Sequence, residues 1–152
     1  MKFIFVFFLL SFYTMNASAK IDNVDFHSPA GKNLGSAEVF FSWFLSLPAF
    51  RFKLEDMKPG TYRLAMHDGD SCKNFGPTSD ENNPLLKAWN TSKLLIFEVK
   101  EDGKLNIVLH IKPEIYTEET RALLSVESLK GHPLMIFELK NNDPAACGIL
   151  PI

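Results

Sequence analysis

Two residue types in this chain could carry chemistry: four histidines, His27, His67, His110 and His132, and two cysteines, Cys72 and Cys147. Imidazoles ligate transition metals and titrate near neutrality. A cysteine pair cross-links, and a lone thiolate attacks. The spacing draws attention to His67, which is followed by Asp68, Asp70, Cys72 and Glu81. A histidine with these carboxylates could hold a divalent ion, and a Cys72 nucleophile could use His67 as its base. The spacing matches no EF-hand loop, and Ser-His-Asp catalysis has no local signature. The plainer expectation is a solvated, carboxylate-rich turn, with His67 exposed or hydrogen-bonded at a strand end. His132 sits in Gly131-His132-Pro133, a turn by composition.

The N-terminus decides which cysteine reading to prefer. Met1-Lys2, an apolar run from Phe3 to Phe12, and Ala17-Ser18-Ala19 have the layout of a cleaved export signal. The expected division is a signal peptide over 1–19 and one mature domain over 20–152, periplasmic or secreted. The apolar run is shorter than the roughly 20 residues that span a bilayer. No membrane span is expected after cleavage. In an exported chain with only two cysteines, Cys72 and Cys147 most simply form one disulfide. Closing a loop of that length is worth about 4 to 5 kcal/mol in the chain-entropy model. A formal net charge of −2, with scattered Lys and Arg, offers no nucleic-acid footprint.

The elements that position these residues follow a period of two. Phe50, Phe52 and Leu54 alternate with Arg51, Lys53 and Glu55. Leu105 to Ile111 repeats the pattern, and Tyr62, Leu64 and Met66 do so more weakly. Ala37 to Leu47 and Leu134 to Leu139 are apolar on both parities, as in strands covered on both faces or near a subunit contact. Asp102-Gly103 predicts a tight hairpin and Lys58-Pro59-Gly60-Thr61 a turn. Arg121 to Val126 is a further strand candidate, after an irregular stretch from Pro113 to Thr120. The region from His67 to Lys93 lacks strand rhythm; within it, Asn83-Pro84 predicts a short helix running to Trp89. Many short strands with turns between them predict a β-sandwich or Greek-key barrel. Trp43 and its neighbouring phenylalanines are expected to pack in the core. Asn90-Thr91-Ser92 matches a glycosylation sequon and is read as a chance match in a bacterial chain.

Pro59-Gly60, Met66-His67-Asp68 and Cys72-Lys73-Asn74-Phe75-Gly76-Pro77, with Ala146-Cys147-Gly148-Ile149 near the C-terminus, resemble the copper/zinc superoxide dismutases. The resemblance implies an all-β, eight-stranded Greek-key β-barrel, with the Cys72–Cys147 pairing as a family hallmark. It also implies a ligand set, which can be followed position by position. The copper strand has His67 at its second ligand position but Ala65 at its first. The bridging histidine after Gly-Pro is replaced by Thr78. The last copper histidine, followed by an acidic residue, falls at Val126 before Glu127. No histidine lies between Asn74 and Lys93, and the zinc aspartate falls near Lys93. Pro144 takes the place of the arginine that guides superoxide. His67 is thus the single surviving copper-ligand position.

Redox copper needs several imidazoles converging on one point. The expectation is therefore an exported superoxide dismutase-like protein that has lost dismutase activity, has no cofactor and serves a binding or structural role. Its partner would be an unidentified protein or envelope component, and a homodimer is compatible with the resemblance. The alternatives are a divergent dismutase, or a copper or zinc carrier, using His67 with recruited ligands.

Overall fold

The computed structural model describes residues 22–42, 47–73, 84–90, 95–111 and 117–152. The expected signal segment 1–19, Trp43, Thr78, Glu81, Lys93 and Thr91-Ser92 of the sequon lie outside the described residues. Eight strands run in chain order: β1 Asp22–His27, β2 Asn33–Ser42, β3 Leu47–Leu54, β4 Gly60–Met66, β5 Ile96–Val99, β6 Leu105–His110, β7 Pro133–Glu138 and β8 Pro144–Ile149. Three short helices intervene: α1 Pro84–Asn90, α2 Glu118–Leu123 and α3 Val126–Leu129.

All described strand pairs are antiparallel, in the order β5-β4-β7-β8-β1-β2-β3-β6. The sheet curls into a nearly closed barrel made of two half-sheets, β1-β2-β3-β6 and β5-β4-β7-β8. These meet at one register pair, His27 with Cys147. Gly148, beside that seam, must be glycine. A Cβ there would lie 2.5 Å from the Val24 side chain and 2.8 Å from the Asp25 carbonyl oxygen.

Alternation places Phe50, Phe52 and Leu54 inside and Arg51 and Lys53 outside, as its period requires. Phe26, Phe50, Phe52, Tyr62 and Phe97 form a chain of ring contacts through the interior, with centroids 5.5 to 6.2 Å apart. Such separations suit offset and tilted aromatic packing. Helix α1 starts on Pro84, whose missing N–H costs nothing at that position. It delivers the fully buried Trp89 edge-on to Phe50 at 5.4 Å.

Three sequence expectations need correction. Asp102-Gly103 does form a turn, with Gly103 at φ 68°, but it is not a hairpin. The strands on either side, β5 and β6, pair with β4 and β3 and lie at opposite edges of the sheet. Arg121 to Val126 is not a strand but holds the end of α2, the turn after it and the first residue of α3. Thr117 caps α2 by accepting from Thr120 N at 3.1 Å, and Ser125 caps α3 by accepting from Ser128 N at 3.2 Å. Two side-chain caps, with Glu118 and Glu119 in the first turn of α2, outweigh a weak alternation. Finally, the apolar run from Ala37 to Leu47 is not one strand, since it contains the end of β2 and the first residue of β3.

A candidate site on the outer face of the barrel

Opposed residues of an antiparallel sheet share a face. Register places Ala65 opposite Met135, Met135 opposite Cys147, and Cys147 opposite His27. The next row sets Arg63 opposite Phe137. These residues point away from the barrel interior, yet Ala65, Met135, Phe137 and Cys147 are all buried. They form a second apolar cluster, separate from the barrel core, with Cys72 packed against it. Cys72, on the chain after β4, packs against this cluster, and the Cys72–Cys147 disulfide, with an S–S length of 2.06 Å, ties it to β8.

His67 is the first residue after β4. Its backbone N–H extends the sheet by donating to Pro133 O at 3.0 Å. Its side chain is only 4% exposed and lies against Phe137, with ring centroids 5.3 Å apart. Of the two expectations for His67 at a strand end, exposed or hydrogen-bonded, the burial rules out only the first. The Arg63 guanidinium lies 5.6 Å from the centroid of the same ring and donates to Asn142 Oδ1 at 2.9 Å. Phe137 thus contacts two nitrogen-bearing side chains and offers no lone pair to either.

Of the other histidines, His27 lies across the seam from Cys147. His27 is exposed at the end of β1. His110 ends β6 in the other half-sheet, opposite Ala49. His132 lies in the turn before β7. Asp68 Oδ1 accepts from Gly69 N at 3.0 Å within its own turn, as in many solvated turns. Among the described residues, no group of three or more His, Cys, Asp and Glu side chains could hold a metal ion.

The strand pairing also moves one expected position. Val126 opens α3 and lies on no strand. The strand paired with β4 is β7, where the residue before the acidic Glu138 is Phe137. The sequence reading names Val126 alone, and the strand pairing points instead to Phe137. Ala65 and Phe137 have no donor atoms, and His67 supplies at most one imidazole. A copper cage built from several imidazoles does not fit this donor set.

No family model and no curated protein matches the chain. Solved structures do. The Cu/Zn superoxide dismutase from Brucella abortus superposes with a TM-score of 0.61 at 16% identity, covering 86% of this chain and 99% of that one. A SOD-like protein from Bacillus subtilis gives 0.62 at 17% identity, covering 86% and 99%. A variant of that SOD-like protein, with a proline replaced by histidine, gives 0.63 at 15% identity, covering 88% and 100%. Likeness at these identities establishes a shared fold.

Proposed function

We propose that this chain, built on the fold of the copper/zinc superoxide dismutases, is an exported superoxide dismutase-like protein without dismutase chemistry that serves a binding or structural role. One observation carries the reading. Where β4 and β7 would present ligands to copper, Ala65 and Phe137 present a methyl group and a phenyl ring, with His67 packed on that ring.

Hydrocarbon there does more than remove donors. It makes the outer face of these strands into a core that holds the covering loop, a job a polar metal site would otherwise share. The substitution thus replaces coordination by burial, worth about 1.5–3 kcal/mol for a fully buried side chain of this size. Export agrees with the disulfide, since such bonds persist in oxidising compartments.

The test is metal content and superoxide consumption of the protein purified through its own export signal. The expected result is far less than one copper per chain and no dismutation above free buffer. Copper at one per chain together with dismutation would replace this reading by that of a divergent dismutase. Tight copper or zinc binding without turnover, lost in His67→Ala, would replace it by that of a carrier.

A further inference from the structure

At one end of the barrel, the β1–β2 turn, the β3–β4 connection and the β7–β8 turn enclose a pocket of about 380 Å3. That size falls in the range of small-molecule sites, which combine an apolar lining with a few polar groups. Leu34, Met57 and Tyr62 line the pocket and belong to the buried core, so its floor is the end of the barrel interior. The Tyr62 hydroxyl spends its proton on Lys58 O at 2.7 Å, which leaves the phenol oxygen able only to accept.

The charges around this floor do not balance. Asp56, Lys58, Glu138 and Asp143 line the pocket, and Lys32 already neutralises Asp56 across 2.8 Å. Two carboxylates, Glu138 and Asp143, then face one ammonium, Lys58. Asp143 accepts from Asn141 Nδ2 at 2.6 Å. Glu138, half-buried at the end of β7, makes no ion pair among the described residues. Its charge reaches the floor, because after burial it is the second cause that raises the Tyr62 pKa. A carboxylate drawn partly out of water gains more from a cation than an exposed one does. An anion would be repelled here. A bare divalent ion needs several converging oxygens, and no group of three or more such side chains is placed for one among the described residues. A cation with a hydrocarbon body suits both the carboxylate and the floor.

We propose that this pocket binds a small primary alkylammonium ion, with the ammonium on Glu138 and the alkyl chain over Leu34, Met57 and Tyr62. The proposal goes beyond the functional reading above and does not depend on whether metal binds. Asp143 adds attraction from the facing turn. The hydrocarbon floor selects against ammonia and hydrated alkali ions, which have no apolar surface to bury.

The test titrates n-butylammonium chloride into the full mature protein and follows backbone amide resonances by NMR, with ammonium chloride and sodium butyrate at equal ionic strength as controls. Butylammonium should saturate and shift Met57, Tyr62, Asn141 and Ala145, while residues 105–110 stay in place. Ammonium lacks the chain and butyrate carries the wrong charge, so each should bind at least about tenfold more weakly. Glu138→Gln keeps the side chain's shape and removes its charge. It should weaken butylammonium binding on the order of tenfold with the circular dichroism spectrum unchanged. Equal responses to all three salts, shifts centred on another part of the surface, or undiminished binding by Glu138→Gln would overturn the site. If that variant fails to fold, the comparison of the three probes on the natural chain decides.

Discussion

The two half-sheets share one interior and differ on their outer faces. On β1-β2-β3-β6 that face is wet: Asn23 and Asp25 are exposed, and Glu38 pairs with Arg51 at 2.7 Å and with Lys53 at 3.7 Å. On β5-β4-β7-β8 the corresponding face, at β4, β7 and β8, is dry, and a disulfide-tied loop lies over it. The first face holds charges in water, where ion pairs contribute little. The second removes hydrocarbon from water and so acts as a second core. The difference teaches where stability is local. A change on the wet face should be absorbed, while a change on the covered face should loosen the cover before the barrel.

That contrast can be tested, beginning with the tie across the covered face. Replacing both cysteines by serine should destabilise the domain by about 4 to 5 kcal/mol in the chain-entropy account, measured by urea unfolding, with a cooperative transition remaining. Phe137→Ala should cost about 3–5 kcal/mol, the cost of truncating a buried aromatic. It should match Phe52→Ala in the barrel interior; a cost below about 1 kcal/mol would mean that the outer cluster is not a core. Tyr62→Phe removes the hydroxyl's 2.7 Å donation to Lys58 O, a loss of about 1 kcal/mol.

The same tyrosine sets an alkaline limit. Burial first, and then the nearby Glu138 carboxylate, hold its pKa above the ordinary value. The folded state thus keeps the proton longer than the unfolded one, and stability falls as pH rises beyond about 10. Tyr62→Phe should lessen that fall. Smallest of all, Glu38→Ala on the wet face should change stability by less than about 1 kcal/mol, and by less still in high salt.

The contrast is partly legible in the sequence. Strict alternation over Phe50 to Leu54 marks a strand with one wet face, and it forms β3. Apolar residues on both parities from Leu134 to Leu139 mark a strand covered twice, and β7 is buried along nearly its whole length. Pro84 marks the start of α1, and the two cysteines mark the tie across the domain.

What escapes the sequence is set by tertiary context. The caps at Thr117 and Ser125 compete with a short alternating pattern, and local hydrogen bonds decide that contest. The pairing of β7 with β4 is non-local, so the sequence reading settles on Val126, where the strand pairing points to Phe137. The outer cluster likewise depends on a contact far apart in sequence, since Cys72 packs there through its bond to a residue 75 positions away.

The most direct measurement titrates copper into the metal-free mature protein and into an Ala65→His/Phe137→His variant, following bound metal by equilibrium dialysis. If hydrocarbon has displaced the cage, the natural chain should take up far less than one tight equivalent, and the variant, with three imidazoles on adjacent strands, should gain affinity by at least about tenfold. Equal, tight, stoichiometric binding by both proteins would contradict the account.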